Sequence, residues 1–139
     1  MIFRDQCKLF FITLIIDIQY LVALYYSYLS VYDKLWISSL LILHILFYYG
    51  LFTVNRNLLD FLHYFVFIMP ILALLIDNLY FKIITLFLIT LIQFLWLSEE
   101  RCILNEKNYI FGYGKEVSLL IILLTILLSA NIGYTFSFL

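Results

Sequence analysis

Five apolar runs dominate this chain: residues 10–32, 35–53, 58–76, 79–98 and 117–139. Each is roughly 19–24 residues long, enough for a helix to cross the about 30 Å of hydrocarbon in a bilayer. Backbone groups in lipid must be satisfied within the segment, so the runs predict helices. Transmembrane strands would alternate polar and apolar residues, and LLIILLTILL at 119–128 has no such alternation. The remaining composition agrees. Of the 139 residues 66% are hydrophobic and 12% charged, with mean hydropathy +1.10. A soluble domain is about half apolar and about a quarter charged, and a water-soluble fold of this length could not hide so much apolar surface. The expected fold is an all-α, polytopic transmembrane helical bundle of about five spans in one domain.

The links between runs are short: Asp33-Lys34, residues 54–57 and Asp77-Asn78. Short links make consecutive helices antiparallel neighbours. If Asp77-Asn78 is not a turn, the third and fourth helices merge and the count falls. Five crossings place Arg4, Lys8, Arg56, Arg101, Lys107 and Lys115 on one side and Lys34 and Lys82 on the other. Excess Lys and Arg marks the cytoplasmic or matrix side, so the N-terminus is expected inside and the C-terminus outside. Trp36 and Trp96 fall at opposite expected edges, as interfacial anchors do. The basic start resembles a signal peptide, but its apolar run is too long, carries Asp17 and lacks a small-residue cleavage site; it reads as a retained first span. The net charge of −1 gives no reason to expect nucleic-acid binding. Cys7 and Cys102 form no metal-binding spacing and read as free thiols. No cofactor motif occurs: the Gly112-Tyr113-Gly114 turn lacks a phosphate-loop context.

Ionisable groups in hydrocarbon cost about 2.5–3.5 kcal/mol each on insertion scales. From a helical rise of about 1.5 Å per residue, Asp17 lies roughly 10 Å and His63 and Gln93 roughly 8 Å from the inner edge. Asp60 shares a helix face with His63 at i, i+3. The expected arrangement is therefore an intramembrane cluster of Asp17, Asp60, His63 and Gln93. It would act as interhelical glue or, with His63 titrating beside a carboxylate, as a proton- or ion-handling site. His44 is placed nearer mid-membrane, about 5 Å from the depth of His63, which disfavours joint haem ligation. Two small-xxx-small pairs, Ala23/Ser27 and Ser129/Gly133, predict close packing of the first and last helices. Pro70 should kink the third helix and release the carbonyl of Val66.

Residues 98–116 form the one sustained polar run, with Glu99, Glu100, Arg101, Glu106, Lys107, Lys115 and Glu116. Its Tyr109, Phe111 and Tyr113 could dip into the interface, or serve with Arg101 as a docking face for a partner. Cys102 has no adjacent activating base, so a nucleophilic role is not expected. Residues 96–106, WLSEERCILNE, resemble a segment that recurs in uncharacterised small multi-span membrane proteins of large DNA viruses. There a helix ends in an aromatic and is followed by a polar stretch, Cys-x-Leu-[Thr/Asn] and a nearby Glu. Trp96, Arg101, Cys102, Leu104, Asn105 and Glu106 match, while Leu95 stands where a His usually precedes the Trp. The resemblance implies a viral membrane protein and assigns no activity.

With no catalytic constellation, the chain reads as a non-enzymatic structural or accessory subunit of a larger membrane assembly. Its expected partners are the lipid bilayer and other membrane subunits. The expected setting is a virion or host internal membrane, or a mitochondrial inner membrane with a respiratory or ATP-synthase complex. The alternative is a small transporter or proton-handling channel built on the Asp/His cluster.

Overall fold

A computed structural model describes the backbone of residues 3–99 and 114–137, and the side chains of 5–95 and 119–137. Among these residues there are six helices and no strand: α1 (Phe3–Tyr26), α2 (Val31–Thr53), α3 (Arg56–His63), α4 (Phe65–Leu72), α5 (Leu79–Glu99) and α6 (Gly114–Phe136). Three helical stretches are long and apolar enough to cross a membrane: Asp5–Tyr26, Val31–Thr53 and Leu119–Phe136. Leu79–Leu95 in α5 is apolar but shorter.

Caps set the helix ends, and they move several expected boundaries. The first helix starts at Phe3 and not at residue 10, with Asp5 in its first turn, where a carboxylate complements the helix dipole. It ends at Tyr26, because Ser30 caps α2. The Ser30 Oγ accepts from the Asp33 backbone N–H at 3.2 Å, and Asp33 Oδ2 accepts from the Ser30 N–H at 2.9 Å. This reciprocal box satisfies two donors that a helix start otherwise leaves open. Asp33-Lys34, expected as the link, thus lies inside the first turn of α2. At the other end of α2, Val54 closes the helix with φ 53°, a left-handed conformation that a β-branched residue rarely adopts. Asn55 then caps α3, its Oδ1 accepting from the Leu58 N–H at 3.1 Å.

The single third helix expected over 58–76 is instead two eight-residue helices meeting at Tyr64. The Tyr64 N–H bonds three residues back, to the Phe61 carbonyl at 3.3 Å, a tightened step of 3₁₀ type. Pro70 sits inside α4 and has no N–H to give, so the ladder is weakened a second time within one turn of the end. The chain then reverses at Asp77-Asn78. Asp33 Oδ1, from α2, accepts from the backbone N–H groups of Asp77 at 3.0 Å and Asn78 at 2.9 Å. Asn78 in turn caps α5, accepting from the Phe81 N–H at 3.0 Å. Helices α4 and α5 are therefore separate elements.

The core is built where α1, α2, α4 and α5 converge. Tyr20, Trp36 and Phe81 form an aromatic triangle with centroids 5.5–5.8 Å apart. The Trp36 Nε1–H donates to the Met69 carbonyl at 3.1 Å. Around this centre lie Ile16, Ile37, Leu40, Ala73 and Ile89. Helix α6 buries one stripe, Ile121, Leu124, Leu128 and Ile132, and leaves Leu119, Leu123 and Ile126 exposed.

Among the described residues the first and last helices do not pack together, contrary to the expectation from Ala23/Ser27 and Ser129/Gly133. Helix α1 lies against α2 and α5, and α6 against α5 and α4. Neither small-residue pair forms a contact face. Ala23 is buried on α1, but Ser27 lies beyond the end of that helix, in the bend that leads to the Ser30 cap. The helical i, i+4 relation between the two is therefore lost. Ser129 and Gly133 do share a helix, but both are exposed, and a Cβ at Gly133 would meet nothing within 4 Å. The close approach that glycine permits occurs instead at Gly50. There a Cβ would stand 3.0 Å from Leu59 Cδ2 of α3.

Candidate functional site

Helices α1 and α2 form an antiparallel hairpin whose register is fixed at several levels. Near one end the Gln6 side chain donates to the Leu51 carbonyl at 3.3 Å, and the Phe10 ring meets Tyr48 and Phe52 edge-on at 5.4 and 5.6 Å. This register carries Asp17 to the face of α2 that holds His44 and Tyr48, which are four residues apart and so neighbours on the helix surface. His44 Nδ1 lies 2.5 Å from Asp17 Oδ1, and the Tyr48 hydroxyl donates to Asp17 Oδ2 at 2.7 Å. Each carboxylate oxygen therefore has a partner from the same helix. The Asp17 side chain is only 12% exposed and that of His44 16%.

The four-residue cluster expected from depth alone is thus not assembled. Asp17 pairs with His44 and Tyr48. Asp60 is exposed on α3. His63 is buried, with its ring stacked on Phe67 at 6.2 Å and 6°. Gln93 reaches sideways to α6, donating to Thr125 Oγ1 at 2.7 Å, and the Thr125 hydroxyl donates to the Ile121 carbonyl. Depth alone does not give the partners of Asp17, which depend on the face and register of the α1–α2 hairpin. Asp17 lies about 21 Å along its helix by the rise per residue, opposite the middle of α2. Folding the hairpin about its link, together with the i, i+4 spacing of His44 and Tyr48, carried the signal that depth did not.

Beside this triad the helices leave a partly open cavity of about 150 Å³. Its walls come from α1, α2, α3, α4 and α5, and they are mostly aliphatic and aromatic. Both described histidines, His44 and His63, line it, as do Thr13, Tyr20 and Thr85. The Thr85 hydroxyl donates to the Phe81 carbonyl at 2.7 Å, so in the 2.8 Å contact between Tyr20 and Thr85 the phenol is the donor. A cavity of this size holds about one six-membered ring and is too small for a porphyrin between the two histidines.

No family model, curated protein or solved structure matches this chain. Among the described residues no group of three His, Cys, Asp or Glu side chains could hold a metal ion. Cys7 is a free thiol, half-buried on α1. Arg101, Cys102, Tyr109, Phe111 and Tyr113 lie outside the described residues, as does most of the 96–106 segment.

A second polar node joins the opposite end of the bundle. The Lys82 ammonium on α5 donates to Asn131 Oδ1 on α6 at 2.6 Å. Asn78 Nδ2 donates to the Tyr28 carbonyl at 3.4 Å, close to the Asp33 carboxylate that holds the turn before α5. Asp33 is 1% exposed. Its oxygens accept three backbone donors from two links, which makes it a structural clasp.

Proposed function

We propose that this protein is an integral membrane protein that serves as a non-enzymatic accessory subunit of a larger membrane assembly. One observation carries the reading: the bundle is apolar on its outside as well as in its core. Large apolar side chains are exposed on every long helix, including Phe11, Ile15, Ile42, Ile45, Phe87 and Ile126. The polar side chains between helices pair with one another: Asp17 with His44 and Tyr48, Tyr20 with Thr85, Lys82 with Asn131, and Gln93 with Thr125. Water has no use for such an exterior, whereas lipid leaves polar groups no partner but each other. In this reading the chain crosses five times, with α3 and α4 as a broken third span of about 25 Å by helical rise. The N-terminus is inside, the C-terminus is outside, and the 98–116 loop meets a partner through Arg101, Tyr109, Phe111 and Tyr113. The resemblance of residues 96–106 supports a virion or host internal membrane; the mitochondrial inner membrane is the other setting. Purification in mild detergent should bring down companion membrane subunits in fixed ratio. Recovery of the protein alone, from cells that express its natural neighbours, counts against the assembly role.

The Asp17–His44–Tyr48 triad favours a second reading, proton handling across the bundle. Passive proton flux into liposomes that is abolished by Asp17→Asn would support it over the accessory role.

A further inference from the structure

The cavity beside the triad has a size, a lining and a polar handle at His44 that together describe a ligand. Its about 150 Å³ equals the volume of cavities that stay dry and accept benzene. The lining is mostly apolar, and the Tyr20 and Thr85 hydroxyls have already given their protons to Thr85 and to the Phe81 carbonyl. His44 differs. Its Nδ1 is engaged by Asp17 while the ring lines the cavity.

An apolar bundle favours forms of the Asp17–His44 pair that carry no net charge. There are two. In one, a carboxylate faces an imidazolium, and both ring nitrogens carry hydrogen. In the other, the protonated Asp17 donates to Nδ1, and the neutral ring keeps its hydrogen on Nε2. Both place an N–H at Nε2. We propose that this cavity binds a membrane-soluble molecule with a single six-membered ring and a carbonyl oxygen, and that the His44 Nε2–H donates to that oxygen. His44 lies about 20 Å from the start of α2 and about 14 Å from its end by helical rise. A ligand tied to a charged headgroup therefore does not reach it, and an uncharged one does. Because the cavity is partly open, a chain on the ring can run outward between helices. The proposal adds a ligand site to the accessory role and does not depend on it.

Trp36 lines the cavity and supplies the reporter. In full-length protein carrying Trp96→Phe, Trp36 is the sole tryptophan. The probe is 2,5-dimethyl-1,4-benzoquinone, a tryptophan quencher, with para-xylene as its carbon-only analogue. Quenching should saturate, unlike that of N-acetyltryptophanamide in the same micelles. His44→Leu should weaken quinone binding about tenfold, the loss of one well-formed hydrogen bond. Competition by para-xylene should be equally strong in the two proteins. Ile89→Phe, which enlarges a lining residue outside the triad, should abolish saturation. Linear quenching in the parent protein overturns the proposal, as does quinone affinity that is unchanged by His44→Leu. If His44→Leu does not fold, saturable quenching that persists in Ile89→Phe overturns it.

Discussion

Replacing His44 with leucine removes one of the two side chains that meet the Asp17 carboxylate and leaves Tyr48 as its partner. Two magnitudes compete for the outcome. Interhelical hydrogen bonds between membrane helices average about 0.6 kcal/mol and reach about 1.7. Breaking a buried charged pair by removing one partner costs about 3–5 kcal/mol, because the remaining charge stays buried. With Asp17 only 12% exposed, the second figure governs, tempered by the Tyr48 bond, and about 3 kcal/mol should be lost. Replacing both members with leucine leaves no stranded charge. The Asp17→Leu/His44→Leu double variant should therefore be more stable than His44→Leu alone and within about 1.5 kcal/mol of the parent. Unfolding in SDS mixed micelles, followed by tryptophan fluorescence, measures all four corners of the cycle. A His44→Leu loss near the about 0.6 kcal/mol of an ordinary interhelical bond, or a double variant that simply adds the two single losses, would refute the charged-pair reasoning.

The same assay tests four further positions. Asp33→Ala should cost about 3 kcal/mol or more, since it strands the N–H groups of Ser30, Asp77 and Asn78 at about 1 kcal/mol or more each; a loss below about 1 counts against the clasp. Gly50→Ala should destabilise by about 1–3 kcal/mol, because its new methyl meets Leu59 at 3.0 Å. Val54→Asn should stabilise by about 1 kcal/mol by relieving a left-handed β-branched residue, visible as a higher unfolding midpoint. Gly133→Leu should leave stability within about 0.5 kcal/mol, as nothing stands within 4 Å of its Cβ position.

Hydropathy made the helices legible, and it also foretold a chain reversal near Asp77-Asn78. It could not place helix ends, because a helix end is a matter of hydrogen bonds. Ser30 and Asp33 stop α1 from running on through an apolar stretch, and nothing in the hydropathy of Leu29 or Val31 announces that. The same cap puts Ser27 outside the helix on which spacing alone would pair it with Ala23. The break at Tyr64 was likewise invisible, since the residue keeps helical angles of φ −62° and ψ −32°. Depth counting found Asp17 but gave it the wrong companions. Depth fixes one coordinate, whereas contact also needs the face of the helix and the register of the hairpin. The other small-residue pair, Ser129 and Gly133, failed for a related reason: α5 contacts both α1 and α6, and among the described residues those two helices do not meet. The residue whose smallness does matter, Gly50, stands alone in sequence and matters because Leu59 folds back across it.

The Asp33 carboxylate also sets a timetable. As the chain leaves the ribosome, one oxygen finds Ser30 three residues behind it, while the other has donors that are still 44 and 45 residues from being made. At about 5–20 residues per second that interval is on the order of 2–9 s. The first hairpin is thus born with its cap complete and one acceptor vacant. Arrival of Asp77 and Asn78 fills the vacancy and pins the later half of the polypeptide to the earlier half.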